Sequence, residues 1–303
     1  MPKNLGRYTD SDAVPRKKDI PSQYVLPMAG SVLGGVKADA KTTADTQAVR
    51  IGEDGKLYTA PGSSNAGSHN SIYRGEYLGN AVTNAQWNVI DNGTFEDLYI
   101  GDYWTINNVN WRIAAFDYWL HTGDTECTTH HVNIVPDSNL VAGCPMNSTN
   151  VTTSAYVGSN FYTGANGNTG KAQCTTIINT AFGSVHILSH REYLKNAVTN
   201  GYESGGAWYD STIELMTEQM VYGGKVFGNC ANGTNVPASY TIDKSQLPLF
   251  AHDPSKICTR ADWWLRDVVS AASFAYISSY GYCTYYGASS SAIGTRPVFA
   301  ICA

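Results

Sequence analysis

Charge is scarce in this 303-residue chain, at 15% of all residues, and between Asp267 and Arg296 it is absent altogether. An average soluble segment of that length carries roughly seven charged residues. A basic excess is missing too: 20 Lys and Arg stand against 25 Asp and Glu, giving a net charge of −5 and a pI near 5.8. No basic face is therefore available to neutralise phosphates, which argues against nucleic acid as a partner. The opening stretch Met1 to Ile20 is polar, so neither the apolar core of a secretion signal nor a bilayer-crossing run is expected, and no membrane insertion with it. The seven cysteines (Cys127, Cys144, Cys174, Cys230, Cys258, Cys283, Cys302) contain no C-x-x-C, and an odd number cannot all pair internally. Most read as small buried hydrophobes. Catalytic signatures are missing as well: there is no G-x-S-x-G elbow, P-loop, G-x-G-x-x-G or H-E-x-x-H. Carboxylates such as Asp117, Asp124, Glu126, Glu203, Asp210 and Asp262 offer no pair that stands out as acid and base, so no catalytic residue is assigned.

One cluster invites a metal reading. Cys127, His130 and His131 lie together in CTTHH, but adjacent histidines on a strand point to opposite faces, and no second ligand pair follows at a familiar spacing. No metal and no cofactor are expected.

What is present is hydrophobic and aromatic: 43% hydrophobic residues, 29 Gly, 20 Tyr and 7 Trp, the composition of a β-rich protein with many loops. The first sixty or so residues are rich in Ala, Lys, Asp, Thr and Gly and suit an extended segment better than a core. They hold one hairpin signal, Ala48 to Ile51 and Lys56 to Thr59 around Glu53-Asp54-Gly55. Ala60 to Asn70 reads as a Pro, Gly and Ser hinge, dividing a segment 1–70 from a compact domain 71–303.

In that domain Thr83-Asn84-Ala85-Gln86 is a capping box opening a helix that Asn92-Gly93 closes. Asp102 to Ile106 and Val109 to Phe116 form a hairpin about Asn107-Asn108, with Trp104 and Trp111 as core anchors. A helix is expected over Lys171 to Phe182. Two further capping boxes, Ser189-His190-Arg191-Glu192 and Ser211-Thr212-Ile213-Glu214, predict helices running to about Val198 and Val221, the second stopped by Gly223-Gly224. The long Asn, Thr and Gly rich loops Asn147 to Thr169 and Asn229 to Ala238 separate these elements.

The uncharged stretch itself is filled with Ser and Tyr, including Tyr276, Tyr280, Tyr282, Tyr285 and Tyr286. Binding loops share this composition: Tyr supplies wide amphipathic contact at low entropic cost, and Ser and Gly supply adaptable hydrogen bonds. The contact positions read from it are Val269, Ser270, Ser273, Tyr276, Ser278, Ser279, Tyr280, Tyr282, Thr284, Tyr285, Tyr286, Ser289 and Ser291. Strand-like apolar flanks, Trp263-Trp264-Leu265-Arg266 before it and Arg296-Pro297-Val298-Phe299-Ala300-Ile301 after it, argue that it folds.

Flanks and filling together resemble the variable region of diversity-generating retroelement proteins. In that family adenines of a template are randomised, so Asn codons become a restricted set that includes Tyr, Ser, Thr, Ile, Val, Ala, Gly, Phe and Cys. Such codons cannot become Lys, Glu, Gln, Met or Trp, and none of these five occurs between Val268 and Thr295. The resemblance implies an α+β fold with a C-type lectin-like domain of the formylglycine-generating-enzyme-like kind and a variable region over about 267–295. Leu33-Gly34-Gly35-Val36-Lys37 and Gly55-Lys56-Leu57-Tyr58 resemble attachment segments of bacteriophage tail fibres, which implies an extended, β-containing N-terminal segment that docks to other tail proteins. The implied function is receptor binding without chemistry: a phage or prophage tail protein, assembled in the bacterial cytoplasm and carried on the virion as a homotrimer, that recognises a protein or glycan on the host surface. Calcium-dependent sugar binding is not implied, because neither EPN nor WND occurs. Two other readings stay open: a tail-tip enzyme, either a depolymerase or formylglycine-generating-like, and a structural baseplate or adaptor protein.

Overall fold

The computed structural model describes residues 66–164, 170–199, 202–227 and 245–303, together with four short strands near the start of the chain. Those strands are β1 (Val32–Leu33), β2 (Val36–Lys37), β3 (Val49–Ile51) and β4 (Leu57–Thr59). β3 pairs antiparallel with β4 through Arg50 opposite Tyr58, the hairpin expected there; its turn Glu53-Asp54-Gly55 lies outside the described residues. The chain divides into two units, Met1–Ala60 and Pro61–Ala303. The second unit includes α1 (Ala66–Asn70), within the stretch read as hinge; the Asn70 amide holds both the N–H and the C=O of Phe116 at 2.8 and 2.9 Å.

After β5 (Tyr77–Gly79), Thr83 caps α2 (Asn84–Asp91) as its sequence predicts, its hydroxyl accepting from Gln86 N and its own N–H donating to the Gln86 amide. β6 (Tyr103–Ile106) and β7 (Val109–Phe116) form the expected hairpin. Both turn residues adopt positive φ, Asn107 at 53° and Asn108 at 63°, the two-residue turn that matches strand twist and that Asn tolerates. Trp104 and Trp111 are fully buried. β8 (Val132–Pro136) is buried at every position, as befits a strand inside a sheet covered on both faces.

Two helices follow, α3 (Asn160–Thr163) and α4 (Gly170–Phe182). α4 was expected, and it buries Cys174, Ile178 and Phe182 along one stripe. The Phe182 ring meets Trp111 at 5.4 Å and Phe299 at 5.6 Å.

The next stretch departs from expectation. Ser189-His190-Arg191-Glu192 opens no helix; His190–Thr199 is strand β9, paired antiparallel with β10 (Tyr202–Ser211). From His190 to Asn196 burial alternates residue by residue, with His190, Glu192, Leu194 and Asn196 inside. Three of those four are polar, so hydropathy does not show the period of two, and only the letters of a capping box stand out. Ser211-Thr212-Ile213-Glu214 also opens no helix. The Ser211 hydroxyl does bond Glu214, but across a buried strand connection, and β11 (Ile213–Leu215) follows. The helix comes one turn later: α5 (Glu218–Tyr222) is capped by Thr217 and ended by Gly223, whose φ of 76° favours glycine.

The chain then passes through α6 (Pro248–His252) to β12 (Trp263–Ser270), β13 (Ser273–Ile277), β14 (Cys283–Gly287), β15 (Gly294–Thr295) and β16 (Pro297–Ile301). The unit is mixed, mostly sheet with few helices, compatible with the expected α+β class. A six-stranded sheet runs β11-β16-β8-β7-β6-β5, and a four-stranded sheet runs β14-β13-β12-β15. β16 lies between β11 and β8, so the chain's final strand closes the larger sheet directly after the Tyr-rich stretch. Both sheets feed one buried core that includes Trp104, Trp111, Trp263, Trp264 and Phe299.

Candidate ligand-binding face

The Tyr-rich stretch is the smaller sheet. In β13 and β14 Phe274 stands opposite Tyr286, Ala275 opposite Tyr285 and Tyr276 opposite Thr284. Directly opposed residues share a face. One face therefore carries Phe274, Tyr276, Thr284 and Tyr286, and continues to Trp264, which is opposite Tyr276. Tyr276 packs edge-on to Trp264 at 6.0 Å and to Tyr286 at 6.1 Å. The other face carries Ala275, Cys283 and Tyr285, with Tyr285 tilted against Phe227 at 5.5 Å.

Under the sheet the flanking charges are buried and engaged. Arg266 donates to Glu192 at 2.6 Å, and His190 lies 3.3 Å from the other Glu192 oxygen, with Trp119 stacked on the imidazole at 3.9 Å. Burial pushes the Glu192 carboxyl up, but Arg266 and His190 outweigh it and hold it down to about 2. Asp267 pairs with Lys225 and accepts from Glu218 N at 2.7 Å. Arg296 is fully buried, donating to the carbonyls of Pro136 and Lys256 at 2.7 and 2.9 Å with its cation 5.1 Å from the Trp263 ring centre. Burial pulls its guanidinium down to about 10. Both arginines tie the strands that flank the stretch to the surrounding frame.

The turns are held through main-chain atoms. In the 278–282 turn, Ser278 N donates to Tyr282 O at 2.9 Å and Gly281 N to Ser278 O at 2.8 Å. Gly281 has a φ of +87°, and a Cβ there would stand 3.1 Å from Cys258 Cβ, so both backbone and space favour glycine. Asp262 accepts from Ser279 N at 2.6 Å, and the Tyr222 hydroxyl donates to Gly281 O at 2.8 Å. The 288–293 loop is fastened the same way: Met146 N and Asn147 N donate to Ala288 O, and Cys144 N to Ile293 O. Every side chain in these fastenings that comes from outside the stretch, Asp262 and Tyr222 included, grips a main-chain atom inside it.

The contact positions divide accordingly. Tyr280, Tyr282, Tyr285 and Tyr286 are exposed, between 51% and 77%, and Ser289 and Ser291 are exposed with them. Val269, Ser270, Ser273, Tyr276, Ser279 and Thr284 are half-buried. Ser278 is not brought to the surface; at 3% exposure it shapes the turn, its hydroxyl accepting from Tyr280 N at 3.3 Å. Within the same stretch Phe274, Ala275, Ile277, Ala288 and Ile293 belong to the core. One neighbour carries no signal in the sequence: Phe227 lies far from Tyr285 in the chain, and only folding places the two together.

Chemically the face offers neutral groups. Burial raises the Tyr276 phenol, helped by Asp262, Tyr282 and Tyr286, and burial with Glu218 raises the Cys283 thiol, so both stay protonated near neutral pH. Elsewhere the CTTHH cluster is structural: burial lowers His131 to about 3, its ring accepting from Trp119 N at 3.1 Å, while His130 bonds Asp117 at 2.8 Å. Among the described residues no group of three His, Cys, Asp or Glu side chains is placed to hold a metal ion. The described residues also include no helix long and apolar enough to cross a membrane. No protein-family model, curated protein or solved structure matches the chain.

Proposed function

We propose that this protein is a diversified receptor-binding protein of a bacteriophage or prophage tail, carried on the virion and recognising a molecule on the bacterial surface. One observation carries the reading. The residues 268–295 hold no charge and present four exposed tyrosines, while the charges at their edges, Arg266, Asp267 and Arg296, are buried in the frame. Anchors such as Asp262, Tyr222, Met146 and Cys144 reach main-chain atoms of the stretch, so its exposed side chains are free to change without loss of those bonds. A retroelement-diversified surface requires that separation, and the missing Lys, Glu, Gln, Met and Trp agree with adenine-directed variation. The mixed unit, two sheets with few helices, is compatible with the finer reading of a C-type lectin-like domain of the formylglycine-generating-enzyme-like kind. Tyrosine rings act as the binding hot spots. The N-terminal unit attaches to the tail, and a homotrimer multiplies weak contacts through effective concentration.

Exchange of 268–295 for another Ser and Tyr rich sequence tests this. The folded state is expected to survive while adsorption moves to a different bacterial strain; unchanged host range refutes the role. In the encoding DNA, a near-identical repeat differing only at adenines is expected beside a reverse transcriptase gene.

A further inference from the structure

Among the described residues the outer edge of β14 is open: β14 is there the last strand of its sheet, pairs only with β13, and keeps one register from Cys283 to Gly287 without a bulge. Bonds at both ends of this pairing fix which main-chain groups point outward. Ser278 bonds Tyr282 and Ala288 bonds Ala272, so the pairs Tyr276–Thr284 and Phe274–Tyr286 are the hydrogen-bonded ones between them. Cys283, Tyr285 and Gly287 therefore turn their N–H groups away from the sheet, and Cys283 and Tyr285 their carbonyls as well. The Gly287 carbonyl is used, accepting from Ser290 N at 3.0 Å.

Natural edge strands are guarded against pairing by Lys, Pro, inward charges or bulges. β14 reads Cys-Thr-Tyr-Tyr-Gly and has none of these. Both flanks of the edge are aromatic: Tyr286 with Tyr276 on one face, Tyr285 with Phe227 on the other.

We propose that β14 takes an extended, uncharged segment of a protein partner by strand addition, so that the sheet grows to five strands. A row of alternating donors and acceptors at strand spacing is matched by another polypeptide backbone, and the aromatic flanks favour β-branched or aromatic side chains on the added strand. The partner's identity rests on the receptor-binding role, in which this mode supplies main-chain affinity that side-chain variation leaves intact. The pairing itself does not depend on that role.

The probe is the capped heptapeptide Ser-Thr-Val-Tyr-Val-Thr-Ser, titrated into the full chain while amide exchange is followed by NMR. The expected result is a several-fold slowing at Cys283, Tyr285 and Gly287, with Thr284 and Tyr286 protected before and after. The same peptide N-methylated on its three central residues, blocked along both edges, is expected not to bind. Tyr285→Pro removes an outward N–H that the sheet does not use and is expected to abolish binding that Tyr285→Ala retains. If the proline variant does not fold, the amide exchange and the methylated peptide still decide. The proposal is overturned if the peptide does not bind, if the methylated peptide binds equally, or if binding leaves the three amides unprotected. Protection of those amides without peptide, together with a dimer in sedimentation, also overturns it by making a second copy the occupant. Failure here leaves the adsorption experiment unaffected, and a host range unchanged by segment exchange would not alter the peptide result.

Discussion

Phe274 and Tyr286 face each other across one pair of strands, on one face of one sheet, yet truncation is expected to cost far more stability at the first than at the second. Phe274 lies on the inner strand at 1% exposure, its ring edge-on to Trp264 at 6.5 Å. Tyr286 lies on the edge strand at 56% exposure. Phe274→Ala removes a fully packed ring and leaves a cavity, a loss of about 3–5 kcal/mol. For a unit of this size each kcal/mol moves Tm by roughly 2–4 °C, so the drop is on the order of 10 °C. Tyr286→Ser uncovers only the half of the ring that is buried and one edge contact with Tyr276, costing about 1 kcal/mol. Thermal and urea unfolding of the two variants, followed by tryptophan fluorescence, measure the difference. Equal losses, or a larger loss for Tyr286→Ser, would refute the division of this stretch into a fixed frame and an exchangeable surface.

Two further outcomes follow from the same frame. Glu192→Gln is expected to cost about 3–5 kcal/mol, because it leaves the buried Arg266 cation without its carboxylate. The pH profile identifies the cause. Glu192 is held near 2 against an ordinary 4.5, so its contribution is complete above 4.5 and is lost as pH falls toward 2. That loss is on the order of 3 kcal/mol, and the variant should lack this part of the acid dependence in urea titrations at a series of pH values. Asp262→Ala strips the 278–282 turn of the acceptor for Ser279 N and is expected to cost about 1–2 kcal/mol, with Asp262→Asn largely sparing it. Faster exchange of the Ser279 amide in the alanine variant alone would check the assignment.

Local chemistry made much of this unit legible. The Thr83 capping box, the Asn107-Asn108 turn and the apolar flanks of the Tyr-rich stretch each carry their signal within a few residues, and each is found in the structure. β9 is not legible in the sequence because three of its four inward residues, His190, Glu192 and Asn196, are polar, and their burial is compensated by partners distant in sequence, Trp119 and Arg266 among them. A polar residue looks exposed until its partner is known.

The same division runs through the binding face. Sequence alone determined that 268–295 is uncharged, rich in Ser and Tyr and bounded by strands, because composition is a property of the chain itself. Only the tertiary structure decided that Phe274 is core while Tyr286 is surface, that Ser278 serves the turn, and that Phe227 joins Tyr285. Burial depends on which strand is inner, which is edge, and what packs on each face, and those relations exist only after distant segments meet.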